Sequence, residues 1–511
     1  MRTAKTIWLK WAQGLLADKN QHHLQFSPTR RKFLQDTSKS ALGFALLPNN
    51  IGLTTAKNPR IAIVGGGLAG LTCAWQLKKA GLSNVTVYEA SNRVGGRTYS
   101  VNDFEGDLNC ELGGEFFSSG HHYMIQMAKE LQLKIITSSA SNQHLKPFKA
   151  YFGKREIPFE DLEASILSFN EKILSDLSDL PEMATWEYAD QFRHLDQLSV
   201  TEYLKKKGAE DLCYEFLKKA VTIETGMEAN EQSAMNLLQT FQKGLAYHPT
   251  SKIKSLQLKD GNQSICKVLA KNMWDSLRTE HKLDNLHQHT TWYKLQFKHQ
   301  GRIKTIEADY VILAVPFSVL RTIESDIHFP VRKMQAINEL GYGQKGSLLL
   351  GFTQKTWREQ GYDGLTFSDE PFGYGSDLSP RGKGRSHVLS IKPSGNEGVA
   401  FTKMDVADAA VKSLDSFNKI YPGIYESFDG QALKFNWSDN PGFLGSNACY
   451  KVGQVSQFGG EEGKSVENLF FAGEHCSHDF KGTMNGAIET GLLAANNILR
   501  RVKRHKRKVK P

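Results

Sequence analysis

A chain of 511 residues that is 40% hydrophobic and 23% charged has the composition of a folded protein, and its length suggests several domains, which excludes disordered, collagen-like and disulfide-dense classes. The net charge of +10 comes mostly from the last twelve residues, RRVKRHKRKVKP, which hold eight Lys or Arg and no acid, so the rest of the chain is nearly balanced and does not read as a nucleic-acid binder. No apolar run reaches the ~18 residues of a membrane-spanning helix, and the six cysteines are scattered without a CxxC pair.

In chain order, the first marked stretch is SPTRRKFLQ, Ser27 to Gln35. Arg30-Arg31 followed by Phe33-Leu34, then the apolar ALGFALL and the small residues Thr54-Thr55-Ala56, resembles a twin-arginine export signal. The resemblance implies a twin-arginine translocase as partner and a periplasmic or otherwise exported protein, with a cytoplasmic one as the alternative. Residues 1–57 are therefore set aside as a leader.

RIAIV, Arg60 to Val64, reads as a short buried strand. Gly65-Gly66-Gly67-Leu68-Ala69-Gly70 follows, then a helical pattern stopping near Gly81, then the strand VTVYE ending in Glu89. This is the dinucleotide-binding order. Gly65 permits the tight turn, Gly67 lets a pyrophosphate approach the backbone, and Gly70 lets the helix pack on the sheet. Glu89 is spaced to accept hydrogen bonds from a ribose, which favours NAD or FAD over NADP.

Directly after it, Ala90 to Ser100 reads ASNRVGGRTYS, where Arg93, Gly96 and Arg97 add donors and positive charge for the same diphosphate. CELGGEFFSSG carries Gly113, Gly114 and Glu115, and NLFFAGEHCSHDFKGTMNGAIETG near the far end carries Gly473, Glu474, Thr483 and Met484. Together these segments resemble the motifs of the flavin amine oxidase superfamily, which includes monoamine, L-amino-acid and polyamine oxidases. The resemblance implies an α/β architecture, a Rossmann-like FAD-binding domain interleaved with an α+β substrate domain. It places Glu474 near the ribityl chain, the N–H groups near Met484 against the flavin, and Leu283 at the adenine end. The FAD-binding blocks are 58–140, 252–325 and 464–500, the substrate blocks 141–251 and 326–463, and 501–511 a basic tail read as a solvated end. Within the substrate blocks, Ser199 and Glu202 have capping-box spacing, EANEQSAMNLLQTF starts a helix, GSLLLGF is a strand, and 361–400 is loop-rich.

The resemblance also implies the chemistry: hydride transfer from an amine carbon to flavin N5, imine hydrolysis, and reoxidation by O2 to peroxide. Its catalytic positions are changed here. Ser347 stands where many members carry a lysine that holds a water at N5, and Lys345 lies two residues earlier on the same expected strand face. Asn447 and Thr483 replace two cage aromatics, with Tyr450 nearby as a substitute wall. Ser446 replaces a flavin-linking cysteine, so the FAD is expected to be noncovalent. Val101-Asn102 replace a carboxylate-binding arginine, and Trp437 resembles a channel tryptophan. Which amine is the substrate stays open, a polar one such as a polyamine or modified amine included. Another flavin reaction on the same fold (desaturation, isomerisation or porphyrinogen oxidation) and a non-enzymatic FAD-stabilised binding protein are the alternatives. His475, Cys476 and His478 are too loosely spaced to imply a metal site. Oligomeric state is not readable.

Overall fold

The computed structural model describes residues 58–102, 104, 108–137, 144–246, 254–379 and 387–508. The twin-arginine pattern and the Thr54–Ala56 stretch lie outside them.

Ile61–Val64 is apolar and buried at every position, as a strand with partners on both sides and covered faces must be. It pairs in parallel with Val85–Tyr88 on one side and Tyr310–Leu313 on the other. Leu277–Arg278 and Leu469–Phe471 complete a five-stranded parallel sheet. The helix Leu68–Lys79 makes the first crossover, and the long helix Met484–Lys508 lies against it. A methyl group on Gly491 would sit 2.4 Å from the Ala69 carbonyl oxygen, so the two helices meet backbone to backbone.

A seven-stranded sheet faces the other side of the site. Its order is Phe428–Asn436, Gly346–Phe352, His387–Ile391, Gly375–Asp377, Thr366–Ser368, Lys149–Phe152 and Arg155–Ile157. Helices between Phe159 and Ala246 pack beside it. Among them, Ser199 and Glu202 form the expected capping box at the start of Val200–Lys206.

The stretch 361–400 is loop-rich as expected, and it also supplies three short strands of the seven-stranded sheet. These strands are short, rich in serine and separated by glycines, so they carry no period-2 signal long enough to read. One expectation needs correction: the basic tail is helical to Lys508 and its first residues are packed, Val502 being buried, while Lys503 and Arg504 are exposed. Arg501 is tied to the body: it donates to the Glu467 carbonyl and to Asn468 Oδ1, and its guanidinium lies 4.7 Å from the centre of the Phe470 ring.

At Gly70 a Cβ would lie 2.0 Å from the Gly65 carbonyl oxygen. Gly70→Ala must therefore displace the strand–helix turn itself, at a cost of about 1–3 kcal/mol. We expect a lowered thermal midpoint in the cofactor-free protein; an unchanged midpoint would show that the turn yields freely.

Candidate flavin and substrate cavity

The glycines of the first turn have three different physical reasons. Gly65 has φ +110°, a conformation that L side chains rarely adopt. Gly70 is needed for packing, as described above. Gly67 has neither need: its φ is −76°, and the only protein atom near a Cβ built on it is Gly96 Cα at 3.9 Å. A side chain there would point into a cavity of about 1430 Å³. That is larger than the ~300–1,000 Å³ usual for a small-molecule pocket. The space suits a dinucleotide together with a further molecule.

The second glycine turn closes on the first. Gly95 N–H donates to the Gly66 carbonyl at 3.0 Å, and Gly67 and Gly95 form a parallel bridge. Glu89 holds the rim: it accepts from Gly66 N–H at 2.6 Å and from Ser91 N–H at 2.9 Å. Arg93 stacks 4.0 Å from the centre of the Tyr99 ring and donates through Nη2 to the Gly96 carbonyl at 2.9 Å. Its Nη1 is buried and has no hydrogen-bond partner among the described residues. Burial pulls the Arg93 pKa down from its ordinary value. An orphaned guanidinium donor beside two glycine turns and the start of a helix fits a diphosphate.

The far wall comes from the other end of the chain. Arg97 donates to Glu474 Oε1 at 2.6 Å and to the Ser446 carbonyl. Glu474 also accepts from Ala448 N–H at 3.1 Å and Gly482 N–H at 2.8 Å. Met484 packs on Gly114, where a Cβ would be 2.9 Å from its sulfur. Thr483 Oγ1 accepts from Gly486 N–H at 3.1 Å, which makes it the cap of the last helix.

Of the residues singled out from sequence, all but two line this cavity: Gly65, Gly67, Leu68, Ala69, Glu89, Ala90, Arg93, Gly96, Arg97, Gly113, Gly114, Glu115, Leu283, Gly473, Glu474, Thr483, Met484, Lys345, Ser347 and Asn447. Gly70 lies behind the turn, where its packing role puts it. Tyr450 is the correction. It is buried in the core, with its hydroxyl bonded to Glu462 and its ring 4.5 Å from Lys481 Nζ, so it is no wall of the cavity. Burial pushes its phenol well above the ordinary value. The aromatic wall comes instead from Tyr374, Phe435 and Trp437. Trp437 both packs against Phe435 and Phe443 and donates to the Leu112 carbonyl at 2.9 Å.

Lys345 lines the cavity just before the strand Gly346–Phe352, and its Nζ donates to the Glu224 carbonyl at 2.6 Å, in the last turn of a helix. Ser347 donates to the Leu112 carbonyl at 2.6 Å and accepts from Lys392 Nζ at 3.0 Å. Lys392, Tyr374 and Glu224 escaped the sequence reading, because nothing local marks them and only the sheet and helix packing brings them to the wall. Glu111, the acid of the CELGG segment, and Asn262 support this wall. Asn262 donates through Nδ2 to the carbonyls of Gly114 and Glu115, which fixes the glycine pair, and its N–H donates to Glu111 Oε1 at 2.7 Å.

The strand–glycine–helix turn, the second glycine cradle and the closing C-terminal segment define an FAD-type dinucleotide fold with a substrate chamber attached. The family model for flavin containing amine oxidoreductases matches residues 68–499, and the chain belongs to that family, with FAD as its cofactor. Its members are FAD-dependent oxidoreductases acting on CH–NH2 groups. The chain is 24% identical over 473 residues to a flavin-containing amine oxidase of Oncorhynchus mykiss, covering 87% of both. It is 25% identical over 453 residues to polyamine oxidase 3 of Oryza sativa subsp. japonica, covering 87% of this chain and 90% of that one. Among solved structures it resembles putrescine oxidase bound to putrescine, with TM-score 0.73 and 20% identity over 86% of this chain and 99% of that one. It also resembles cyclohexylamine oxidase from Brevibacterium oxydans, with TM-score 0.74 and 18% identity over 88% of this chain and 100% of that one.

Two outcomes follow from this geometry. Gly67→Val should leave the cofactor-free fold intact, since a Cβ there meets only Gly96 Cα at an ordinary contact distance, but should abolish FAD loading. Full flavin occupancy in that variant, measured by absorbance, would show that the turn does not face the cofactor. Glu111 is buried and held up at about 8 by the loss of solvent. It keeps its proton in the folded state where the unfolded chain, at the ordinary 4.5, has lost it. The native state then binds the extra proton, so this group's contribution to stability falls as pH rises from about 5 to about 8 and is level above. Glu111→Gln should flatten that slope in denaturant titrations. An unchanged slope would mean that Glu111 is ionised throughout.

Proposed function

We propose that this chain oxidises a polar amine by way of noncovalent FAD and releases hydrogen peroxide. The observation that carries the reading is one continuous cavity, where two glycine turns and an orphaned Arg93 donor share a space with a chamber of aromatic and charged side chains. When bound, FAD supplies the electron sink: an amine C–H hydride passes to it, water hydrolyses the released imine, and dioxygen takes the electrons to give peroxide. The residues of this chain hold and orient. Gly67, Gly96 and the start of the helix Leu68–Lys79 receive the diphosphate. Tyr374, Phe435 and Trp437 fix the carbon skeleton and displace water from the reacting bond.

Glu115 and Glu224 line the same cavity, which favours a substrate bearing ammonium or hydrogen-bonding groups over a purely apolar one. The likeness to a putrescine-bound structure supports the same class. Ser446, which lines the cavity where some relatives bear a linking cysteine, supports noncovalent attachment. We also propose export by the twin-arginine route on the strength of Arg30-Arg31; Arg30→Lys with Arg31→Lys should then retain the protein in the cytoplasm.

Purified protein should be yellow, release its flavin into the supernatant on acid precipitation, and generate peroxide with one or more members of a panel of diamines, polyamines and monoamines. Flavin that precipitates with the protein would overturn noncovalent binding. Anaerobic bleaching by a nonamine, with no response to the panel, would move the reading to another flavin reaction.

A further inference from the structure

The five parallel strands of the first sheet all begin at one edge, and the cavity-lining residues Gly65, Glu89, Ala314 and Gly473 follow their opposite ends. Leu277 and Leu469 start the two outer strands, so the edge is about 19 Å wide at a strand spacing of ~4.8 Å. Three helices end there. Leu68–Lys79 leads into the strand Val85–Tyr88, and Ser264–Asn272 leads into Leu277–Arg278. The last helix, Met484–Lys508, brings Arg501 to Glu467 and Asn468, just before Leu469.

Most cations of this edge are used within the protein. Lys78 pairs with Asp275 at 2.8 Å, Lys79 with Glu130 at 2.7 Å, and Arg60 with Glu307 and with Asp309. The last helix differs. Arg500, Lys503 and Arg504 are exposed and make no ion pair among the described residues. From 500 to 510 the sequence carries eight Lys or Arg and no acid. A helix end needs only about half a unit of positive charge to offset its dipole, so one cation would serve and the rest are surplus. Across the edge stands Trp274, in the turn between Asn272 and Leu277, with 78% of its surface exposed. Lys271, also exposed, is three residues before it.

An unpaired basic helix end beside an exposed indole has the chemistry of a lipid headgroup contact. The cations meet anionic headgroups, and an indole settles at the boundary between headgroup and acyl chain. A single-stranded nucleic acid would call instead for a groove with successive rings on which bases stack, and here one ring stands apart from the charges. No helix among the described residues is long and apolar enough to cross a membrane, so contact would be peripheral.

We propose that this edge is a docking surface for an anionic lipid bilayer, held by the basic end of the last helix and by Trp274. The flavin cavity, at the other ends of the same strands, then faces away from the bilayer. This does not rest on the amine reading.

The test sediments FAD-loaded full-length protein with vesicles of phosphatidylcholine alone or of equimolar phosphatidylcholine and phosphatidylglycerol. Binding should need the anionic lipid, and salt at about 1 M, where the Debye length falls to ~3 Å, should release the protein. Arg500→Gln, Lys503→Gln and Arg504→Gln together should weaken binding by about tenfold or more, with flavin content unchanged. Arg500→Lys with Arg504→Lys should keep it. Trp274→Ala should weaken it severalfold without altering its salt dependence. Equal binding to both vesicles, or no binding to either, would overturn the proposal. So would unchanged affinity in the triple Gln variant, or tighter binding to duplex DNA or RNA than to the anionic vesicles. If the triple variant loses its flavin, the charge-keeping variant and the salt series on wild type decide: loss of binding with the charge retained, or binding indifferent to salt, would overturn it.

Discussion

The cavity depends first on the ion pair between Arg97 and Glu474, residues 377 apart in sequence. Glu474 is only 6% exposed, and its two oxygens serve Arg97, Ala448 N–H and Gly482 N–H together. It therefore clamps the second glycine turn, the loop after Trp437 and the turn before the last helix around one point. Losing one partner would leave the other charge buried and unpaired, which typically costs several kcal/mol, about 3–5. The clamp also explains why the C-terminal motif must return to the N-terminal sheet: the strand Leu469–Phe471 completes that sheet at the edge beside Tyr310–Leu313, and Glu474 follows within one short turn.

The same logic applies to the glycine pair. Gly113 and Gly114 have no room for side chains, with the Arg97 carbonyl 2.1 Å from a Cβ on one and the Met484 sulfur 2.9 Å from a Cβ on the other. Asn262 then pins their carbonyl side. The Arg97 carbonyl closes on Gly113 and the side chains of Met484 and Asn262 close on the Gly114 region, so three separate parts of the chain make one wall. A wall so made is rigid, and a rigid wall is what a planar cofactor and a fixed C–H bond require.

What could be read from the sequence was whatever repeats in a local order. The strand Ile61–Val64, the glycines, the helix to Lys79 and Glu89 follow one another within thirty residues, and each signals through residue type and spacing. The capping box at Ser199 was legible for the same reason. Tyr450 was misplaced because sequence proximity to Asn447 says nothing about which way a side chain turns after a two-residue strand; here it turns into the core toward Phe458 and Lys481. Lys392 was illegible because it acts across a strand pair whose register is set by sheet contacts some 45 residues away from Ser347. Period-2 reasoning along one strand offered Lys345 for that place, yet the strand begins only at Gly346 and the Lys345 side chain is drawn to a helix end.

The departure at Thr483 has a structural cause that bears on substrate. Its hydroxyl caps the last helix and also donates to the Phe480 carbonyl at 2.7 Å, so an aromatic there would forfeit the cap, worth roughly 1 kcal/mol. With Thr483 committed to capping, the seven-stranded sheet and its flanks add Tyr374, Phe435 and Trp437 to the aromatic lining of the cavity, beside Phe480 of the C-terminal motif. That sheet also carries Ser347, Ser376 and, just past its third strand, Lys392. Apolar and charged side chains of the cavity thus share one scaffold, and a substitution that shifts a strand of that sheet moves both at once. On the proposed reading, specificity is accordingly a property of sheet register, whereas cofactor binding is a property of the two terminal motifs and their clamp.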